Sequence, residues 1–183
     1  MAGMGEYVVR VVGVTELAAA VEPLAWLYRL SFVGPPWNER EERFAAFAEV
    51  FAAHLAHEGV RGVLVWSGDE IVGAAYGWRA APEIPDAPAF YQAVRGAVDS
   101  ADHRGLRAPA FEVVNFMVDP GHQRRGLGRR MLSCLVDDAD GAWLCTHPEA
   151  PARALYESAG FVVRGAITLE DVPLVVMTLD RRL

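Results

Sequence analysis

The strongest chemical signal in the chain is the stretch Val118-Asp119-Pro120-Gly121-His122-Gln123-Arg124-Arg125-Gly126-Leu127-Gly128-Arg129-Arg130. An apolar strand runs into a tight turn and then into a helix whose start gathers two glycines and four arginines. Cations there face the positive end of the helix macrodipole, at a cost of about 0.3–1 kcal/mol each. An anion filling the site accounts for such an accumulation. Glycines at 126 and 128 let backbone N–H groups close on phosphate oxygens while arginine heads neutralise the outside. The competing reading is a surface helix that is arginine-rich because the protein has no lysine. The pattern is neither a dinucleotide fingerprint, which needs a third glycine, nor a Walker loop, which needs a lysine.

All 17 basic residues are arginine, against 24 acidic ones, for a formal net charge of -7. Chemistry that needs an internal lysine, such as a Schiff base, is excluded. Arginine holds planar anions but does not lose its proton, so the basic groups bind and do not act as bases. The acidic balance gives no overall field for nucleic acid or an anionic membrane, and neither is expected as a partner. Cys134 and Cys145 are too few for a disulfide framework or a cysteine-built zinc site, and read as core residues of a reducing compartment. Met1 to Val14 has no signal-like leader, and no apolar run is long enough to span a bilayer, so the expected location is the cytoplasm. At 183 residues and 52% hydrophobic, the chain fits a single domain, 1–183, with one sizeable core.

These groups need elements to position them. Tyr7 to Val14 reads as a strand, followed by a helix capped at Thr15 with Leu17, Val21, Leu24, Leu27 and Tyr28 near the helical period. Gly34, Pro35, Pro36 and Trp37 break it, and a second amphipathic helix is expected from Glu39 to His57, carrying Phe44, Phe47, Val50, Phe51 and Leu55. Val60 to Trp66 and Ile71 to Trp78 flank Ser67-Gly68-Asp69 as a hairpin. Residues 80–110 hold four prolines and one helical stretch near Phe90 to Val98, and read as an inserted excursion. Phe111 to Val118 is a strand buried on both faces. A helix with Leu127, Met131, Cys134, Leu135 and Asp138 on one side should end at Gly141. Ala142 to Thr146 then reads as a strand, Ala150 to Ala159 as a helix, and Phe161 to Val163 and Pro173 to Leu179 as strands.

Two motifs together resemble one known family. Gln123-Arg124-Arg125-Gly126-Leu127-Gly128 matches the Q/R-x-x-G-x-G/A motif of the GNAT (GCN5-related N-acetyltransferase) superfamily, and Ala152-Arg153-Ala154-Leu155-Tyr156-Glu157-Ser158-Ala159-Gly160-Phe161 looks like its later A-x-x-L-Y-E-x-x-G-F element. The resemblance is closest from Phe111 to Phe161. It implies an α/β (α+β) fold: a mixed, mostly antiparallel sheet of six or seven strands flanked by helices and splayed between the fourth and fifth strands. It implies acetyl-CoA as co-substrate, its pantetheine arm on the backbone of Phe116, Met117 and Val118. The pyrophosphate would lie on the loop of Gln123, Arg124, Arg125, Gly126, Leu127, Gly128 and Arg129.

Acetyl transfer from a thioester to an amine needs a neutral amine, a stabilised oxyanion and a proton for the departing thiolate. A backbone N–H near Val118 is the candidate for the oxyanion. Tyr156 matches the family position that protonates the leaving sulfur, while its periodicity alone suits a packed aromatic. For the base, Glu112 shares a strand face with Val114, Phe116 and Val118, where a carboxylate has either a partner or a purpose. A solvated strand start or a structural ion pair fits it equally. His147, after the fifth strand, has a suitable intrinsic pKa. Glu149 stands where many relatives carry a cofactor-holding asparagine and could not mimic both amide functions, and the fifth-strand position where others carry a base is apolar here at Leu144.

The family's usual acceptor pocket would here use Phe32, Pro35, Pro36 and Trp37, with Glu170 and Asp171, an aromatic wall with carboxylates that suits a cationic amine. A Pro-Trp turn plugging the core is the alternative. The excursion is expected to cover the acceptor site or form a homodimer contact. No metal is expected: His54 and His57 share a predicted helix face with no third ligand, and Asp137, Asp138 and Asp140 read as a solvated helix end. The expected activity is direct acetyl transfer, in a ternary complex, to a primary amine of a small molecule or peptide. A non-catalytic acyl-CoA-binding sensor of the same fold is the other class.

Overall fold

The structure is a computed structural model and describes residues 7–181. Seven strands form one sheet in the order β1-β2-β3-β4-β5-β7-β6: β1 Tyr7–Val12, β2 Arg61–Ser67, β3 Glu70–Arg79, β4 Phe111–Val118, β5 Gly141–Thr146, β6 Val162–Leu169 and β7 Val172–Asp180. β1–β2, β2–β3, β5–β7 and β6–β7 pair antiparallel. β4 and β5 run parallel, and their ladder consists of Phe111 opposite Ala142 and Glu112 opposite Trp143. The mixed, mostly antiparallel sheet expected from the sequence is therefore present. By contacts the chain divides into two compact units, one made of the residues up to Gly77 with Asn115–Leu135, the other of Trp78–Val114 with the residues from Val136 on.

In the first unit the helices are α1 Val14–Ala19, α2 Val21–Phe32, α3 Glu41–Ala45, α4 Phe47–His54 and α6 Leu127–Leu135. Leu17, Leu24, Leu27, Phe47 and Phe51 are buried as their spacing predicts, but Val50 is exposed. Thr15 is not the cap: the cap is Gly13, two residues earlier, whose N–H donates to the Glu16 carboxylate at 3.2 Å. The first predicted helix breaks at Ala20 and the second at Ala46, where short turns re-aim the apolar face. α6 ends at Leu135, before Asp138. Gly141 does not terminate it; Gly141 opens β5, where a Cβ would stand 2.7 Å from the Leu179 carbonyl oxygen, so the sheet itself requires glycine there.

In the second unit the excursion forms α5 Ala89–Ala97 and a 3-10 segment, Ser100–Leu106, followed later by α7 Ala152–Ser158. α5 packs on β6, and the 3-10 segment on β5 and β7. β6 runs on to Leu169, past the predicted end at Val163, with a register shift between Val163 and Gly165. Among the described residues no helix is long and apolar enough to cross a membrane.

Candidate functional site

The first unit carries the anion-binding candidate. β4 ends at Val118, whose carbonyl accepts from Gln123 Nε2 at 3.1 Å. Asp119 Oδ1 accepts from the Gly121 N–H at 2.7 Å, and Asp119 N–H returns to the Val72 carbonyl of β3. His122 meets the Tyr7 hydroxyl through Nδ1 at 2.9 Å, tying the turn to β1. Gln123, read from sequence as a cofactor contact, also ties the loop to the strand end through Nε2. Two residues then enter the left-handed region, Arg124 at φ 60° and Gly126 at φ 77°. Such reversals make a concavity of N–H groups.

The Gly126 carbonyl accepts from Arg130 N–H, so Leu127, Gly128 and Arg129 are the first residues of α6, and their N–H groups have no intrahelical acceptor. Leu127 is 2% exposed, and burying its side chain is worth about 1.5–3 kcal/mol, which fixes the helix start. Around it Arg124, Arg125, Arg129 and Arg130 are exposed, and among the described residues none of them meets a carboxylate. Elsewhere Arg29, Arg95, Arg107 and Arg153 pair with carboxylates at 2.6 to 3.0 Å. Positive charge without carboxylate partners among the described residues, beside N–H groups that lack an intrahelical acceptor, is an arrangement that suits an anion.

Behind β4 the same unit buries a polar chain that the sequence did not reveal. Asn115 Nδ2 donates to the Tyr76 hydroxyl at 2.7 Å, and that hydroxyl lies 3.0 Å from His54 Nδ1. Burial lowers the His54 pKa to about 4, with His57 adding to the effect, so the ring is neutral and its Nδ1 can accept. Tyr76 is fully buried, which pushes its phenol up and keeps it a donor. Rings in edge, tilted or stacked contact run from Trp37 through Phe32, Tyr28, Phe47 and Phe51 to Tyr76. The Tyr28 hydroxyl donates to Glu39 at 3.3 Å, and its pKa rises to about 12 through burial and that carboxylate.

The second unit carries the titratable candidates. Glu112 is 6% exposed, at the last ladder position that β4 shares with β5. Trp78 Nε1 donates to Oε2 at 3.0 Å, and the Tyr91 hydroxyl reaches Oε1 at 3.1 Å and Oε2 at 3.0 Å. Burial pushes the carboxyl up to about 7, against the lowering by the two donors. The carboxylate is therefore neither solvated nor in an ion pair, the two plainer readings its position allowed. Cys145 lies near enough that the Glu112 charge adds to burial in raising its thiol. The Trp143 indole N–H is buried without a hydrogen-bond partner.

Tyr156 is 4% exposed on α7, its ring 5.9 Å from Phe161, and burial raises its phenol, which stays protonated. The packed-aromatic and proton-donor readings are thus compatible in one residue. His147 is 6% exposed, and its Nδ1 accepts the Glu149 backbone N–H at 3.1 Å, which removes that nitrogen from proton transfer. Glu149 is exposed. Glu170 and Asp171, read as acceptor carboxylates, both have positive φ and form the two-residue turn of the β6–β7 hairpin.

Tyr91 and Trp78 were missed because they lie 21 and 34 positions from Glu112, and no local spacing connects them. Among the described residues no group of three or more His, Cys, Asp or Glu is placed to hold a metal.

The chain resembles known proteins at several levels. The [ribosomal protein bS18]-alanine N-acetyltransferase of Escherichia coli (strain K12) is 43% identical over 53 residues, covering 26% of this chain and 36% of that protein. The match thus spans about a third of the relative's length. The solved structure of the ribosomal-protein-S18-alanine N-acetyltransferase from Escherichia coli superposes with a TM-score of 0.62 at 18% identity, covering 97% of this chain and 96% of that one. The yncA protein of Salmonella typhimurium, solved with acetyl-CoA, gives a TM-score of 0.59 at 17% identity, covering 97% and 95%. The family model described as Acetyltransferase (GNAT) family matches residues 21–161, and the chain belongs to that family.

Proposed function

We propose that the protein transfers the acetyl group of acetyl-CoA to a primary amine of a small molecule or peptide, directly, with both substrates bound. The observation that carries this reading is the loop of the first unit, where four exposed arginines, without carboxylate partners among the described residues, flank the N–H groups that open α6. A diphosphate needs N–H donors and positive charge together, and these residues fit it. Arg124, Arg125, Gly126, Leu127, Gly128 and Arg129 would hold the pyrophosphate, with Gln123 keeping the loop in place. The backbone of Phe116, Met117 and Val118 would hold the pantetheine arm, and bound acetyl-CoA supplies the activated acetyl thioester.

The remaining work is proton management by the chain. Tyr156 holds a proton that burial keeps in place, and gives it to the leaving sulfur. Glu112, raised to about 7, is half-ionised near neutrality, where a general base is most effective. Its Oε2 accepts from both Trp78 and Tyr91 while Oε1 accepts only from the shared phenol, so Oε1 takes the proton of the amine. His147 is a weaker base candidate, with Nδ1 already occupied. A peptide amine is included among acceptors because one similar protein is named as an alanine N-acetyltransferase of ribosomal protein bS18. We read the chain as one cytoplasmic domain, its two cysteines being free.

Calorimetry with acetyl-CoA, followed by thiol release across an amine panel, tests the proposal. Micromolar binding and amine-dependent release are expected. Absence of binding sinks it, and binding without turnover favours a sensor.

A further inference from the structure

We propose that Tyr91 is a positioning residue for Glu112, which makes residues 80–110 part of the catalytic apparatus. The inference rests on the reading of Glu112 as base. It starts from the way α5 is fixed. Arg95 pairs with Asp86 at 2.9 Å and donates to the Ile84 carbonyl, while His103 Nε2 lies 3.0 Å from both the Arg95 and Val98 carbonyls. At the helix end the Ala97 carbonyl occupies the space a side chain at position 165 would need, so β6 accepts α5 only through Gly165. Tyr91 itself is 8% exposed, its ring 5.2 Å from Phe90 and 6.3 Å from Trp143. Contacts remote from the carboxylate therefore decide where the phenol oxygen sits.

That oxygen spans both carboxylate oxygens of Glu112. A glutamate side chain has free torsions that burial alone does not settle, and a donor shared between its oxygens fixes the plane of the carboxylate. With Trp78 on Oε2, the lone pairs left for an incoming proton are on Oε1. The titratable groups facing Glu112 are Tyr91 from α5 and Cys145 from β5; burial and the nearby carboxylate raise both, so both stay neutral. From β3 comes Trp78, which does not titrate. A hydrogen bond to the ionised carboxylate favours that form, so Tyr91 lowers the pKa that burial raises.

The test is Tyr91→Phe in the full chain, which keeps the ring and removes the hydroxyl. Two readouts are followed: the Glu112 carboxyl titration by carbon NMR of glutamate-labelled protein, assigned with Glu112→Gln, and the pH profile of kcat/KM. Both midpoints should rise by about one unit, with kcat at neutral pH down about tenfold and KM for acetyl-CoA unchanged. Tyr91→Phe should add nothing to the loss already caused by Glu112→Gln. A carboxyl midpoint that does not move overturns the link between Tyr91 and Glu112, whatever the base is. A carboxyl midpoint that moves while the rate profile stays put sinks Glu112 as base, and with it the positioning role. If Tyr91→Phe fails to fold, difluorotyrosine at position 91 keeps the shape and strengthens the donor. It should move both midpoints down, and unmoved midpoints overturn the proposal.

Discussion

The two compact units each bury a tyrosine hydroxyl against a titratable partner, and they bias those partners in opposite ways. In the first, Asn115 and Tyr76 lead to His54, held neutral with a pKa near 4. In the second, Tyr91 and Trp78 lead to Glu112, whose proton affinity is raised to about 7. Burial is the leading cause in both, because it disfavours whichever form is charged. The outcomes differ because the charged form of histidine is the protonated one and that of glutamate the ionised one. The first unit thus keeps a neutral framework beside a loop of unpaired arginines, while the second keeps a group that changes charge near neutrality. On the proposed function, binding of the anion falls to the first and movement of protons to the second.

Substitutions can break that division. The largest expected effect is Tyr156→Phe, which should lower kcat by about 10²–10⁴-fold, the usual worth of a general acid, while binding of acetyl-CoA measured by calorimetry stays intact. An intact maximal rate would remove Tyr156 from proton transfer.

Next is stability. The folded-state pKa of Glu112, about 7, lies above the 4.5 of a free carboxyl, so between those values the folded chain binds the extra proton and stability is lost as pH rises through 7. The full difference is roughly 3 kcal/mol, and Glu112→Gln should recover much of it above pH 7 and little below pH 4.5. Denaturant melts across pH measure this. His54 has the opposite sign: its folded pKa of about 4 lies below the ordinary 6.5, so its contribution is lost as pH falls from 6.5 towards 4.

The loop should affect binding alone. Arg124→Ala with Arg129→Ala is expected to raise KM for acetyl-CoA about tenfold without changing kcat, an effect that shrinks as salt is added. A fall in kcat instead would break the separation. The change expected to touch the reaction least is Tyr76→Phe, which leaves Asn115 Nδ2 without its acceptor and should cost about 1–3 kcal/mol in denaturant melts, with the pH profile of the rate unmoved.

Much of the fold was legible because periodicity is local. The excursion helix fell within a residue of its predicted bounds, and β4 matched them. Failures came where tertiary packing set the boundary. Ala46 gives no local signal for the break between α3 and α4, and Gly141 looks like a helix stop although the Leu179 carbonyl is what demands it. That Glu170 and Asp171 form the β6–β7 turn was also not legible, because composition does not show that two consecutive residues take positive φ.

By itself the sequence marked out the arginine-glycine loop, since a turn, two glycines and four arginines lie within one short run. It also determined that any cationic grip here must be arginine, there being no lysine. Tertiary structure decided which carboxylate could change charge near neutrality. That property comes from desolvation and from donors 21 and 34 positions away, which only folding brings to Glu112.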